Sequence, residues 1–333
     1  MTPLHEVIVN KKTSINPIWI MRQAGRYLPE FRKIRKKNPN FIELCLNYKL
    51  SSEITLQPIK RFNLDAAIIF SDILMLPYGL NQKVEFKKNF GPSLGNLDVN
   101  SISKVNEIDF VEKIYPVYKA IKSVSSEMTF KNKNTIGFVG APWTLLVYMI
   151  NQQSPKKNVK KDFFKDDYLI SKILLIIEKF LKIHIKNQIE NGANVIQIFD
   201  SWAGLLEEKD YPNYIYTPTL NLVNYVKSLN VPVICFPREI KNYKEFCKIV
   251  DPDAVNIDYN VDPLMISKNI KIPVQGGLDP KILLTNQENL KKEVLRYLNI
   301  FKDHPYIFNL GHGILPETDP EMVECLINTV RDY

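Results

Sequence analysis

Four arginines follow a short apolar run near the start of the chain. The run, Ile18 to Met21, is followed directly by Arg22 and then by Arg26, and Arg32 and Arg35 come soon after. The planar guanidinium group of arginine binds a carboxylate through two parallel, charge-assisted hydrogen bonds. An apolar run of this kind is typical of a buried strand. Several arginines just beyond it therefore predict a pocket for a ligand that carries many negative charges.

Other residues suited to chemistry stand in comparable places. Asp72 and Ser201 each follow an apolar run, Tyr148 lies in the segment after a third, and His312 stands between two glycines. Flanking glycines allow close approach of the backbone, whereas a core histidine usually lies on an apolar face. Structural roles are open for the others, with Asp72 or Ser201 as caps and Tyr148 as a core residue. The arginines are also compatible with salt bridges to Asp72 or Glu30.

Short runs rich in isoleucine, valine and phenylalanine recur along the chain. Continuous rather than alternating apolar character is typical of strands buried on both faces of a parallel sheet. There are eight: Pro17–Met21, Ala66–Phe70, Thr135–Gly140, Val195–Asp200, Val231–Phe236, Ala254–Asp258, Ile272–Gly276 and Tyr306–Gly311. Helical periodicity lies between them, as in Tyr168–Asn191, which is expected to end at Gly192. Capping boxes at Thr285-x-x-Glu288 and Thr318-x-x-Glu321 predict two further helix starts.

Eight strands that alternate with helices predict an α/β fold, a (β/α)8 TIM barrel. Residues 1–333 show no linker or repeat, so we expect a single domain. The alternative is a doubly wound open sheet, but its Gly-rich dinucleotide motif is absent. A barrel carries its active site at the C-terminal ends of the strands. Those ends hold Arg22 and Arg26, Ser71-Asp72, Ala141-Pro142-Trp143 with Tyr148, Asp200-Ser201-Trp202, Arg238, Asp258-Tyr259, Gly277 with Asp279, and Gly311-His312-Gly313.

Charge and composition narrow the expected partners. Lysine and arginine total 44 against 36 acidic residues, a net charge of +8. Much of the excess lies in lysine runs at residues 36–37, 87–88, 156–157 and 160–161, which are typical of solvated surface. Because aromatic residues are not interleaved with these runs, no nucleic-acid groove is predicted. No apolar stretch is long enough to span a membrane, so we expect no membrane partner.

The cysteines and histidines argue against several kinds of cofactor chemistry. The four cysteines lack disulfide-like spacing and the first residues lack the apolar part of a secretory signal, which together predict a cytoplasmic protein with reduced thiols. The four histidines are dispersed, so no metal site is predicted. No apolar run ends in a lysine for a Schiff base. Glycines at 276, 277, 311 and 313 leave phosphate binding as a minority alternative.

Six motifs taken together resemble uroporphyrinogen decarboxylase. They are Trp19–Glu30, Ile69–Leu74, Gly137–Leu145 with Tyr148-Met149, Gln197–Gly204, Gln275–Pro280 and Phe308–Thr318. They follow one another in order over nearly the whole chain. The resemblance implies a single-domain (β/α)8 barrel in the cytosol, a homodimer that works without a metal or an organic cofactor. Its small-molecule substrate would be uroporphyrinogen III.

The resemblance also implies a reaction and a set of residues. Four acetate side chains of the substrate would lose carbon dioxide, giving coproporphyrinogen III in haem biosynthesis. The eight carboxylates of the substrate account for the arginines. By position in the matching motifs, the family's substrate-binding and catalytic residues correspond to Arg22, Arg26, Asp72, Tyr148, Ser201 and His312. The catalytic roles fall to Asp72, Arg22 and Tyr148.

Two positions match the family less well, and two other functions remain open. Arg35 corresponds only weakly to a family residue, and many members have asparagine where this chain has Gly277. A zinc-dependent methyltransferase of the same superfamily would require a His-x-Cys type ligand set late in the chain, but His312 is followed by Gly-Ile-Leu. A porphyrin carrier would need the arginines but not Asp72, so Asp72 favours an enzyme.

Overall fold

The computed structural model describes residues 1–87, 90–155 and 166–333. The strands in this part of the chain are short. They are β1 (Ala66–Ile68), β2 (Val84–Lys87), β3 (Gly91–Leu94), β4 (Asn134–Gly140), β5 (Val195–Asp200), β6 (Val233–Pro237), β7 (Ala254–Ile257), β8 (Val274–Gly276) and β9 (Tyr306–Ile307). All except β2 and β3 belong to one parallel sheet, and those two form an antiparallel hairpin.

Helices precede, separate and follow the strands of the sheet, as a parallel connection requires. The described helices are α1 (Pro3–Ile8), α2 (Pro29–Lys37), α3 (Phe41–Leu46), α4 (Tyr48–Arg61), α5 (Met75–Gly79), α6 (Val99–Ser103), α7 (Glu107–Phe130), α8 (Pro142–Asn151), α9 (Asp167–Glu190), α10 (Thr217–Ser228), α11 (Tyr243–Val250), α12 (Pro263–Asn269), α13 (Gln287–Ile300) and α14 (Pro320–Arg331). The long connection between β1 and β4 holds the β2–β3 hairpin, which the sequence did not predict. Most of the connection between α8 and α9 lies outside the described residues.

The order of the strands decides between the two predicted architectures. The seven-stranded sheet runs β1-β4-β5-β6-β7-β8-β9, so every neighbour in the sheet is the next parallel strand along the chain. A doubly wound sheet reverses its order at a switch point. Because no reversal occurs, the alternative of a doubly wound open sheet is wrong. The protein has an α/β fold with a curled parallel sheet.

The first predicted strand, Pro17–Met21, is not a strand in the structure. Only Ile18 forms a bridge, a parallel one with Phe308. Side chains take the N–H groups that a ladder would use: Ile18 N donates to Asp65 Oδ2 at 2.6 Å, Ile20 N to Gln23 Oε1 at 2.9 Å, and Met21 N to Asn309 Oδ1 at 2.9 Å. Hydrophobic pattern could not reveal this competition between side-chain and backbone acceptors.

The same segment connects the two edges of the sheet. On one side Phe308 N, just after β9, donates to Pro17 O at 2.8 Å. On the other side Asp65 N, just before β1, donates to Ile18 O at 2.8 Å. The first and last strands of the sheet therefore flank one stretch of backbone, which requires the sheet to curl around its own axis.

The predicted helices are present, but two of their caps were assigned one residue too early. The helix predicted at Tyr168–Asn191 is α9, and Gly192 follows it with φ +107° as expected of a glycine after a helix end. The cap of α13 is Asn286 rather than Thr285, and that of α14 is Asp319 rather than Thr318. In each case a hydrogen bond from an N–H group of the first turn goes to the amide or carboxylate of the next residue and not to the threonine hydroxyl.

The apolar core has two parts. The larger part lies between the sheet and the surrounding helices. The smaller part fills the inside of the curl, and α1 contributes to it from one end. Its members are Leu4, Val7, Ile8, Trp19, Met21, Ala66, Ile68, Ile136, Val195, Ile234, Phe236, Ala254 and Ile307. The interior is thus a packed core, and α1 closes one end of it as a plug.

The surface agrees with the sequence at the first of the lysine runs. Lys36 and Lys37, the first of the predicted solvated lysine runs, are exposed. Lys87 is exposed as well, while residues 88, 156–157 and 160–161 lie outside the described residues. Among the helices of the described chain, none is both long and apolar enough to cross a membrane.

Truncation of the plug tests the two-part core. Leu4 is 0% exposed, so we expect Leu4→Ala to lower the free energy of unfolding by about 2–5 kcal/mol through the cavity that it leaves. The control is Val9→Ala at the end of the same helix, because Val9 is 52% exposed and its loss is expected to change little. Urea unfolding monitored by tryptophan fluorescence measures both. Equal stabilities for the two variants would show that α1 does not fill the interior.

Candidate active site

Predicted site residues lie on the loops after the strands, at the C-terminal edge of the sheet. Arg22 follows the bridging segment, Asp72 follows β1, Tyr148 stands on α8 after β4, Ser201 follows β5, and His312 follows β9. Parallel strands bring their C-terminal ends to the same side of the molecule. Electrostatic coupling places Arg22 near Asp72 and Tyr148, and also near His312. The structure therefore brings these four predicted residues together.

Arg22 projects from a tight loop that is held by the buried side chain of Gln23. Its backbone has φ +63°, the left-handed region that ordinary residues seldom adopt. The next residue, Gln23, is fully buried, and its Nε2 donates to Ala66 O of β1 at 2.9 Å. Its Oε1 also accepts from Ile20 N at 2.9 Å. Gln23 thereby attaches the arginine loop to the first strand of the sheet, a positioning role that the sequence did not reveal.

Two glycines leave room for Arg22. A Cβ at Gly25 would lie 2.8 Å from Arg22 O, and a Cβ at Gly313 would lie 2.3 Å from Arg22 Cδ. Both distances are shorter than van der Waals contact allows. The glycines in the two motifs are thus explained by packing: one lets the loop turn, and the other lets the Arg22 side chain lie against the backbone beside His312.

The salt bridges considered for the first two arginines are not formed. Glu30 binds Arg61 instead, with N–O distances of 2.8 and 2.9 Å. Within the described residues neither Arg22 nor Arg26 has a carboxylate within salt-bridge distance. Solvent reaches Arg22, yet the surrounding protein lowers its pKa by desolvation, against the raising effect of Asp72 and Tyr148. Both guanidinium groups are therefore available to an anionic ligand.

Asp72 is a half-buried carboxylate with one oxygen engaged. Its Oδ1 accepts from Leu74 N at 2.9 Å, so the capping role considered from the sequence exists. Burial raises the pKa of Asp72 to about 6, although the Leu74 bond and the charge of Arg22 oppose the rise. No hydrogen bond to the other oxygen is found within the described residues. That oxygen is open to a ligand donor, and the group is ionised near neutral pH.

Tyr148 packs against the core with its ring and contributes its hydroxyl to the site. Its ring meets Trp202 edge to face, with centroids 5.9 Å apart. Burial raises the pKa of Tyr148, and the Asp72 charge raises it further while Arg22 lowers it. The hydroxyl is therefore a neutral hydrogen-bond donor close to both charged groups. The core interpretation of this tyrosine is right for the ring only.

His312 is a neutral imidazole with a defined tautomer. Its Nδ1 accepts from Gly313 N at 2.7 Å, which requires that nitrogen to be unprotonated and leaves the proton on Nε2. Burial lowers the pKa of His312 to about 4, and the charges of Arg22 and Arg238 contribute to the fall. At neutral pH the residue can donate one hydrogen bond from Nε2 but carries no charge.

Ser201 lies on a loop that is fixed by a buried hydroxyl–carboxyl pair. Thr144 Oγ1 donates to Asp200 Oδ1 at 2.6 Å and accepts from Trp202 N at 3.1 Å. Ser201 is held between these two bonds, and its hydroxyl has no partner among the described residues. It is not the cap of the short helix that follows, whose cap position is Trp202. Burial raises the pKa of Asp200 to about 7.

Arg35 and the glycines considered for phosphate binding are engaged in contacts within the protein. Arg35 is turned toward its own helix end, where Nη1 donates to Asn38 O at 2.5 Å and the guanidinium lies over the Phe41 ring. The glycines proposed for phosphate are occupied by protein: a Cβ at Gly277 would meet Tyr297 at 2.8 Å, and one at Gly311 would meet Tyr259 N at 2.4 Å. These glycines permit close packing, so the phosphate alternative gains no support.

Aromatic side chains that the sequence analysis overlooked adjoin the interior cluster. Phe138 and Phe199, near the ends of β4 and β5, are partly exposed, and their rings lie 5.6 Å apart edge to face. Phe236 of β6 follows at 6.4 Å from Phe199. The inward-facing aromatic residues before each strand end were the available signal. They lie near the C-terminal ends of three neighbouring strands, at the same edge of the sheet as the charged residues.

The described residues also bear on metal binding. Nowhere in this part of the chain do three or more His, Cys, Asp or Glu side chains cluster in a way that could hold a metal ion. His312 has arginines as charged neighbours, and Cys325 is buried in α14. The ligand set that a zinc-dependent methyltransferase would need is therefore not seen in the described chain.

The raised pKa of Asp72 predicts how the stability of the folded protein depends on pH. Because folding raises this pKa from 3.8 to about 6, the native state loses up to about 3 kcal/mol of stability as pH rises through that window. Asp72→Asn keeps an acceptor for Leu74 N but removes the charge. We expect Asp72→Asn to be more stable than the wild type at pH 8 and nearly equal to it near pH 4, as measured by urea unfolding.

An exposed aspartate with the same local contact provides the control. Asp262 accepts from Leu264 N at 3.0 Å and is exposed, so Asp262→Asn is not expected to stabilise the protein at pH 8. A gain of similar size in both variants would assign the effect to net charge rather than to burial of Asp72.

Comparison with known proteins identifies the family of the chain. The family model described as uroporphyrinogen decarboxylase matches residues 1–333. Uroporphyrinogen decarboxylase of Rickettsia bellii is 42% identical over 325 residues, which cover 95% of each chain. That of Rickettsia felis is 42% identical over 324 residues, covering 95% of this chain and 93% of the relative.

A solved structure supports the fold alone. A methyltransferase from Methanosarcina mazei superposes with a TM-score of 0.79 over 99% of this chain and 97% of its own, at 16% identity. Identity this low carries no information on activity, whereas full-length identity of 42% to the Rickettsia proteins does. The chain therefore belongs to the uroporphyrinogen decarboxylase family.

Proposed function

We propose that this chain removes carbon dioxide from the four acetate side chains of uroporphyrinogen III to give coproporphyrinogen III, without a metal or organic cofactor. The observation that carries the proposal is one arrangement of charges. The carboxylate of Asp72, with one oxygen open, lies near the guanidinium of Arg22, which has no salt bridge within the described residues. Such a pair of opposite charges suits a ligand with cationic character at its centre and carboxylates around its edge.

The chemistry requires this combination. Direct loss of carbon dioxide from an acetate would leave an unstabilised carbanion. Protonation of the pyrrole ring makes it an electron sink, so the electrons of the breaking C–C bond flow into the ring. A proton added to the former methylene carbon then completes the methyl group, and the ring releases the proton that it took up in the first step, so each decarboxylation consumes one proton overall. A fixed negative charge that faces the pyrrole N–H groups stabilises the cationic ring, and Asp72 supplies it.

The remaining residues bind and orient the substrate. Arg22 and Arg26 pair with its carboxylates, whose negative charge balances the positive charge of the two guanidinium groups. Tyr148 and Ser201 donate hydrogen bonds to further carboxylates. We assign Tyr148 to the reacting ring as well, because the charges of Asp72 and Arg22 both act on its pKa. His312 donates from Nε2 as a neutral group. The aromatic residues at the strand ends face the rings of the macrocycle.

The wider architecture is part of the proposal. Hydrogen bonds between the Pro17–Met21 segment and both edges of the sheet support its closure into a (β/α)8 barrel, in which this segment takes the place of the eighth strand and residues 1–333 form a single domain. We further propose that the protein is a cytoplasmic homodimer, as the family resemblance implies. Sedimentation equilibrium of the purified chain distinguishes a dimer from a monomer.

Turnover by the metal-stripped protein tests the function. Anaerobic incubation with uroporphyrinogen III, followed by oxidation and chromatography, is expected to give products with seven down to four carboxylates. Asp72→Asn is expected to lower the rate on the order of 100-fold or more, because a preorganised charge is lost. Asp262→Asn, the exposed control, is expected to keep the wild-type rate. Substrate binding without turnover would favour a carrier, and activity that returns only with zinc would favour a metalloenzyme.

The pH profile tests which group must be ionised. Because the pKa of Asp72 is raised to about 6, kcat/KM is expected to fall about tenfold per pH unit below that value as the carboxylate takes up a proton. His312→Gln is expected to leave this limb in place, since the pKa of His312 is about 4. The residual activity of Asp72→Asn should lack the limb. A limb that disappears in His312→Gln instead would assign it to the imidazole.

A further inference from the structure

Arg238 is a third arginine at the C-terminal edge of the sheet, and the family resemblance gives it no role. It follows β6 directly, beside the loop that carries Ser201. Arg238 N donates to Asp200 O at 3.1 Å, and Arg238 O accepts from Gly204 N at 3.1 Å. The backbone of Arg238 is therefore bound to residues that precede and follow Ser201 in the chain. This places Arg238 among the strand ends that form the site.

The side chain of Arg238 belongs to the same electrostatic cluster as the predicted residues. Desolvation is the main cause of the lowered pKa of both Arg22 and His312, and the positive charge of Arg238 adds to the effect at each of them. A guanidinium that influences both residues lies on their side of the sheet edge. Arg22 and Arg238 thus place two positive charges near the neutral His312, and the carboxylates of Asp72 and Asp258 belong to the same cluster.

Most of the hydrogen-bonding capacity of Arg238 is unused. A guanidinium has five N–H donors. Within the described residues its side chain has one partner, Glu239, which pairs with Nη2. The neighbouring Nε is buried without a hydrogen-bond partner. Nε and Nη2 form one edge of the guanidinium, the edge on which a carboxylate can make two parallel hydrogen bonds. Glu239 satisfies only half of that edge.

Glu239 is held in place by a strained turn. Ile240 N donates to Pro237 O at 3.2 Å across the turn, and Glu239 has φ +60°, where glycine is the usual residue. Glu239 N donates to the buried Asp258 Oδ2 at 2.9 Å, which offsets part of the strain. On the other side, a Cβ at Gly204 would lie 2.6 Å from Glu239 Cβ. The turn is thus clamped between two neighbouring loops while the Glu239 side chain stays exposed.

We propose that Arg238 is a further substrate-binding residue, which takes one carboxylate of the substrate on its Nε–Nη2 edge, and that Glu239 is its displaceable counter-ion in the empty site. The inference rests on the proposed function, since it assigns one more carboxylate contact to the same substrate. In the empty site Glu239 offsets the repulsion between Arg238 and Arg22. On binding, the substrate carboxylate replaces Glu239 and also satisfies Nε.

Kinetics of Arg238→Gln, Glu239→Gln and the double variant test the proposal in the full-length enzyme. Arg238→Gln is expected to raise KM for uroporphyrinogen about tenfold with kcat within about twofold of the wild type, because the contact is equally strong in the ground and transition states. Glu239→Gln is expected to lower KM severalfold by removing the competing carboxylate. In the Arg238→Gln background the Glu239→Gln change is expected to have no effect, because its action passes through Arg238.

Two further measurements distinguish a binding role of Arg238 from a purely structural role and from failure of the proposed function. Arg238→Lys is expected to restore part of the loss in KM, and the salt dependence of KM is expected to weaken in Arg238→Gln, which a purely structural role would not cause. An unchanged KM in Arg238→Gln, or an effect of Glu239→Gln that persists without Arg238, overturns the inference. If the wild type shows no turnover at all, the proposed function fails, and the affinity of each variant for uroporphyrin, measured by fluorescence, still decides the role of Arg238.

Discussion

The backbone of residues 18–21 is the constraint on which the rest of the structure depends. Three of its N–H groups donate hydrogen bonds to the side chains of Asp65, Gln23 and Asn309, which lie beside the first strand, in the arginine loop and after the last strand. Asp65 Oδ2 also accepts from Arg331 Nη2 at 2.7 Å, so the final helix is joined to the same point. One short segment therefore links both edges of the curled sheet and both ends of the chain.

The position of Arg22 is a consequence of that constraint. Once Gln23 is bound to Ala66 O, the backbone at Arg22 turns into the left-handed region and its side chain lies along Gly313. The site then opposes an arginine to a partly buried aspartate without letting them form a salt bridge. Burial that raises the pKa of Asp72 disfavours its charge in the empty protein. Under the proposed function, the same environment would strengthen the interaction of that charge with a cationic ring, at a cost in stability.

Much of the fold and of the site could be predicted from the chain alone. Seven of the eight predicted strands match the sheet, because continuous apolar runs reflect burial on both faces. Arg22, Asp72, Tyr148 and His312 lie together as their places after strand ends imply. The first strand could not be predicted correctly, since its ladder is replaced by side-chain acceptors from distant parts of the sequence. Gln23, Phe138 and Phe199 were overlooked because their roles exist only through the partners that they meet.

The sequence by itself determined the family, the parallel α/β order of the elements and the residue types of the site, because apolar periodicity and motif spacing are local properties. Only the tertiary structure decided the protonation of these groups and their pairing. Burial of Asp72 and His312 and the proximity of Arg22 move their pKa values, and these are sums over neighbours from several strands. The pairing of Glu30 with Arg61 likewise depends on how two helices meet, and it occupies the carboxylate that the sequence offered as a partner for Arg26.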